Sequence, residues 1–141
     1  MLSDVFSEVG IAATYGLVGL VLMAVGFVLV DLLTPGNLRE QVWVQRHRNA
    51  AILLSSNLLG VGIIVATAIV ASEDDWGVGI VSTLAYGLLG LVLMGLSFVV
   101  IDAVTPGRLG ELLMEEADHP AVYVSGASHL AVSAIVAVAI V

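Results

Sequence analysis

Residues 15–38 read YGLVGLVLMAVGFVLVDLLTPGNL, and residues 86–109 read YGLLGLVLMGLSFVVIDAVTPGRL. The two stretches lie 71 residues apart without a gap, and 15 of their 24 aligned positions are identical. The same offset reaches the ends of the units, where IVATAIV at 64–70 aligns with IVAVAIV at 135–141. Spanning a hydrocarbon core as helix takes about 20 consecutive apolar residues, and each copy supplies them before an aspartate and a Thr-Pro-Gly break. A repeat of this period, made almost wholly of apolar residues, predicts a duplicated transmembrane hairpin.

Outward from these stretches, the spans fall at residues 10–33, 50–71, 79–104 and 121–141, and none of them contains Lys or Arg. Hydrophobic residues make up 60% of the chain and its mean hydropathy is +1.11. A soluble domain holds only about 45–50% apolar residues. Backbone groups in lipid must be satisfied within the spanning segment, and no alternating barrel pattern is visible, so the spans are helices. The expected fold is an all-α membrane protein of one domain, 1–141. Its four transmembrane helices form two tandem hairpin repeats, 10–71 and 79–141. With no basic n-region and no A-x-A site, the first span reads as a retained helix rather than a signal peptide.

All four basic residues, Arg39, Arg46, Arg48 and Arg108, lie between the first and second spans or between the third and fourth. The remaining connection reads SEDDWG, and the N-terminus carries Asp4 and Glu8. The positive-inside rule places the Arg-bearing loops in the cytoplasm and both termini outside, with the first loop deciding the orientation. Hairpins arranged this way are parallel repeats about an axis along the membrane normal. The expected location is the plasma membrane, multi-pass, with the lipid bilayer as the principal partner.

The net charge of −8 lacks the basic footprint of a nucleic-acid partner. Lysine is absent. That fits a salt-adapted organism and equally a chain with few water-facing positions. Without cysteine there is no disulfide, thiolate or cysteine metal site. His47, His119 and His129 form no recognised ligand spacing, and no nucleophile elbow, phosphate loop or H-E-x-x-H helix occurs. The chain therefore predicts no metal, no cofactor and no enzyme activity.

The best-kept motif is DLLTPGNLRE at 31–40, repeated as DAVTPGRLGE at 102–111. Thr34 and Thr105 suit an N-cap, and Pro35 and Pro106 suit the first position of a short interfacial helix. Trp43 would anchor the first such helix at the interface. Asp31 and Asp102 stand near helix C-termini, where an anion is disfavoured. Each reads either as a local cap or partner of the loop arginines, or as an ion- or ligand-handling group. Glu40 and Glu111 read as solvated.

Gly16, Gly19, Gly87 and Gly90 recur as Y-G-x-x-G. Ala12 with Gly16, Ser56 with Gly60, and Gly62 with Ala66 form small-x-x-x-small pairs, and close helix packing explains them all. Tyr15 and Tyr86 then belong to an aromatic belt. The even helices carry Ser55, Ser56, Asn57, Ser125, Ser128, His129 and Ser133, with Asn57 and Ser128 in the same register. His129 reads as a proton relay or, more simply, as an interhelical hydrogen-bonding group.

The duplicated motif, the Y-G-L-x-G-L-x-L run before it and the small-residue helix after it resemble the DUF350 (UPF0719) family. That resemblance implies a small prokaryotic integral membrane protein built from two-helix hairpins. Its most specific residues are Asp31, Thr34, Pro35, Leu38 and Glu40, followed by Asn49-Ala50-Ala51. The second copy keeps Asp102, Thr105, Pro106, Leu109 and Glu111 but has Pro120 where the first has Asn49. The better-equipped first copy adds Arg46, Arg48 and Asn49 near Asp31. Two functions remain in view: a non-enzymatic subunit or scaffold, self-associating or docking a protein at its cytoplasmic loops, and a proton or cation conductor using Asp31 and Asp102.

Overall fold

The computed structural model describes residues 1–72, 75–107, 109–115 and 118–141. Among the described residues six helices follow one another: α1 Leu2–Leu33, α2 Leu38–Trp43, α3 Arg48–Ala71, α4 Trp76–Val104, α5 Leu109–Glu115 and α6 Ala121–Ile140. Helices α1, α3, α4 and α6 are each long and apolar enough to cross a membrane. No strand occurs among the described residues. The chain is thus an all-α protein with four candidate membrane spans, joined by two short helices at one face.

The odd spans begin earlier than the hydropathy pattern suggests. Helix α1 starts at Leu2 rather than residue 10, and α4 at Trp76 rather than residue 79. Ser3, Asp4, Ser7 and Glu8 interrupt the apolar run, but an acid in the first turn, Asp4, complements the helix dipole, and the helix continues through all four. Asp75 caps α4 by accepting the Val78 amide at 3.2 Å.

Helices α3 and α4 form the shared centre, with α1 and α6 on either side, and α3 packs most extensively on α6. Lipid tails are as apolar as leucine, so this packing depends on close fit rather than on exclusion of water. Glycine provides the fit. A Cβ at Gly60 would collide with Ser133 Oγ and lie 2.6 Å from Met94 Cε; at Gly87 it would meet Leu22, and at Gly90, Ile64. At Gly19 it would press Val65 at 3.3 Å. Gly16 and Gly62 differ, because nothing lies within 4 Å of a Cβ built at either. Packing inside this chain does not account for those two.

The core has two apolar layers. One lies near the short helices and contains Val30, Leu38, Leu53, Phe98, Leu113 and Val122. The other lies nearer the termini and contains Leu22, Val61, Ile64, Leu91, Met94 and Val136. Along α3 the polar pair Ser56 and Asn57 falls between the two layers, and Ser125, His129 and Ser133 fall between them along α6. Tyr15 is no belt residue: it is buried and its hydroxyl lies 3.1 Å from Ser72 Oγ, which ties α1 to the end of α3. Tyr86 is partly exposed.

Candidate functional site

At the end of α1 the chain reverses within four residues. Thr34 is extended, with φ −107° and ψ 141°, and Gly36 takes φ +86°. Proline followed by a residue at positive φ is the pairing of a type II turn, and glycine alone adopts it without strain. This corrects the expected N-caps. Thr34 Oγ1 donates to the Val30 carbonyl at 2.9 Å, and Thr105 Oγ1 donates to Ile101 at 2.7 Å. Both threonines therefore finish the preceding span. Pro35 and Pro106 lie in the turns, and α2 and α5 begin at Leu38 and Leu109. The N-cap of α2 is Asn37, whose Oδ1 accepts the Glu40 amide at 3.3 Å.

Asp31 has a definite task in this turn. Its Oδ1 accepts the backbone N–H of Leu38 at 2.7 Å, so the last turn of α1 satisfies the first amide of α2. The dipole of α1 disfavours a carboxylate at its C-terminus, but the start of a second helix supplies the donor it needs. Gln41 completes the turn and carried no signal in the sequence beyond its i+3 spacing from Leu38. Its Nε2 donates to the Pro35 carbonyl at 2.8 Å from a buried position. Beyond α2, Arg46 takes a left-handed conformation at φ +55° and turns the chain into α3.

Asn49, at the head of α3, is fully buried and donates from Nδ2 to the Leu113 carbonyl at 2.7 Å, joining α3 to α5. Arg48 lies 4.0 Å from Asp118, with both side chains largely exposed, so this ion pair contributes little to stability. Arg108 lies outside the described residues. Asp102 and Glu111 share a cleft of about 310 Å³ with Leu32, Thr34, Pro35 and Phe98. Gly110 packs there too: a Cβ on it would come 3.0 Å from Pro35 Cδ. The first copy has Arg39 at the matching sequence position.

Between the core layers, Ser56 Oγ lies 2.9 Å from the Leu53 carbonyl and 3.1 Å from His129 Nδ1. A serine hydroxyl has one proton. With that proton on Leu53, the oxygen accepts from His129 Nδ1–H, which leaves Nε2 as an acceptor. Ser133 Oγ donates to the His129 carbonyl at 2.6 Å. Asn57 offers Nδ2 to Met94 Sδ at 3.6 Å, while its Oδ1 and the hydroxyl of Ser125 are buried without a hydrogen-bond partner among the described residues. Ser128, expected to match Asn57, is half-buried and bonds its own helix at Val124. A cavity lined by Asn57, Met94 and His129 measures about 10 Å³, the room one water molecule needs.

The six candidate residues thus do not converge. Asp31 belongs to the first turn, Asn49 to the α3–α5 joint, Asp102 to the cleft and His129 to the interior, while Arg46 and Arg48 frame the loop after α2.

A family model described as Domain of Unknown Function (DUF350) matches residues 3–140. A UPF0719 transmembrane protein of Mycolicibacterium paratuberculosis is 35% identical over 126 residues, covering 89% of this chain and 83% of the relative. UPF0719 transmembrane proteins of Mycobacterium bovis and Mycobacterium tuberculosis are each 36% identical over 133 residues, covering 93% of this chain and 88% of the relative. No solved structure matches the chain.

Proposed function

The chain belongs to the DUF350 family of transmembrane proteins, and we propose that it serves as a non-enzymatic subunit or scaffold of a membrane assembly. The observation that carries this reading is the free end of α1. The helix has 32 residues, about 48 Å at 1.5 Å per residue, against a hydrocarbon core of about 30 Å. Residues 1–13 are all exposed, and the first buried side chain, Tyr15, is level with the end of α3. Leu2, Val5, Phe6 and Val9 fall at i, i+3, i+4 and i+7, opposite Ser3, Asp4, Ser7 and Glu8. Such an apolar stripe on a projecting helix is a surface for a partner. Gly16, open on the same helix, extends it into the span.

Because the chain has no cysteine, Phe6→Cys and Gly16→Cys provide single, unambiguous probes. Photocrosslinking from a maleimide-benzophenone attached at either cysteine, in native membranes, should give one discrete adduct, either a dimer or a defined heteromer. No adduct at either position, together with a monomer mass in nanodiscs, would exclude the subunit reading.

The cleft of Asp102 and Glu111 favours a second reading, conduction of protons or cations. Against it stand the cap made by Asp31 and an interior cavity the size of one water. Asp31→Asn combined with Asp102→Asn should leave proteoliposome proton flux unchanged under the subunit reading. Loss of a measurable flux in that double variant would establish conduction instead.

A further inference from the structure

We infer that the groove between α1 and α2 is a specific site for one phosphatidylethanolamine molecule of the surrounding bilayer. The groove is bounded by Phe27, Asn37, Arg39, Glu40, Trp43 and Val44, and its volume of about 630 Å³ lies within the range of small-ligand sites. Phe27 sits six residues before the end of α1, about 9 Å into the span. Arg39 and Glu40 lie on the short helix at the polar edge. The groove therefore runs from apolar to charged, and its occupant must do the same.

The apolar wall is well defined. The rings of Phe27 and Trp43 lie 6.3 Å apart at 47°, an aromatic contact that holds α2 against α1, and Trp43 and Val44 remain largely exposed beside it. An acyl chain laid along these residues would cover them. The rim carries one cation and one carboxylate at neighbouring positions, and among the described residues neither forms an ion pair. A guanidinium matches a phosphodiester, with two parallel hydrogen bonds available. A carboxylate beside it would repel a purely anionic headgroup but matches a primary ammonium. Phosphatidylethanolamine presents both charges in that order. Phosphatidylglycerol has no cation for Glu40, and a choline headgroup has no N–H to donate. The site is single: the positions matching Arg39 and Trp43 in the second copy are Gly110 and Met114.

Trp43 itself reports on occupancy. Trp76→Phe leaves it as the only tryptophan. That protein is reconstituted in phosphatidylcholine vesicles doped with a low mole fraction of phosphatidylethanolamine, phosphatidylglycerol or phosphatidylcholine, each brominated on its acyl chains. One added charge pair at the membrane surface corresponds to about fivefold in relative affinity, so brominated phosphatidylethanolamine should quench Trp43 at about one-fifth the mole fraction the other two need. Arg39→Gln removes the contact to the phosphate that all three headgroups carry and should weaken quenching by all three. Glu40→Gln should remove only the preference for phosphatidylethanolamine. Both positions are exposed, so neither change disturbs the fold. Equal quenching by the three lipids in the parent protein would mean that Trp43 merely meets bulk lipid. A preference for phosphatidylglycerol would mean diffuse attraction to the loop arginines. Either result overturns the site, as would a phosphatidylethanolamine preference that survives Glu40→Gln.

Discussion

Asp31 accepts the Leu38 amide through one oxygen, and an asparagine in its place still presents an oxygen there. Asp31→Asn should therefore stay within about 1 kcal/mol of the parent, whereas Asp31→Leu leaves the amide unsatisfied and should cost about 1–2 kcal/mol. Thermal unfolding in detergent separates the two. If asparagine proves as damaging as leucine, the charge has a task beyond the cap. Asn49→Ala removes the buried donor to Leu113 and should cost about 1–3 kcal/mol in the same assay. The motif singled these residues out, but it did not give their partners. The amide that satisfies Asp31 lies seven residues ahead, beyond a turn whose geometry depends on Gly36 at positive φ. Thr-Pro likewise reads in both directions: a threonine before proline can open a helix or finish one. Here the Val30 carbonyl, within reach of the Thr34 hydroxyl, decides for finishing.

Between elements, the decisive contact is the crossing of α3 and α6. Gly60 lies beneath Ser133 and Met94, so Gly60→Leu must push both aside and should destabilise by about 1–3 kcal/mol. Gly62→Leu, two residues on, starts from a Cβ that meets nothing within 4 Å and should not lower the unfolding midpoint of the isolated chain. Comparable losses for both would mean that the α3 surface at Gly62 is covered. The sequence pattern could not separate these glycines, because each belongs to a small-x-x-x-small pair and the pattern does not say which face has a neighbour. It did reveal the spans themselves, since an unbroken apolar run needs no partner to be recognised. The polar residues of α3 and α6 were visible too, but their pairing was not. Asn57 and Ser128 share a register, yet Asn57 is buried and Ser128 bonds back to its own helix. The bond that does cross joins Ser56 to His129.

Across the whole molecule, charge and topology point the same way. Four spans return the chain to the face where it started, and the α2 face carries Arg39, Arg46 and Arg48 while the terminal face carries Asp4, Glu8 and Asp75. The positive-inside rule counts Lys and Arg near span ends and gives little weight to acids, so the α2 face should be cytoplasmic. Ser3→Cys should then react with an impermeant maleimide in intact cells, and Gln45→Cys only after permeabilisation; both positions are exposed. The reverse pattern would invert the orientation. The rule also predicts how the orientation fails. Replacing Arg39, Arg46 and Arg48 with glutamine leaves Arg108 as the only basic residue in the chain. With so little bias left, the population should divide, and Ser3→Cys in that background should label only in part before permeabilisation. Full labelling would mean that orientation is held by something other than these three arginines, and the projecting acidic end of α1 would be the next element to alter.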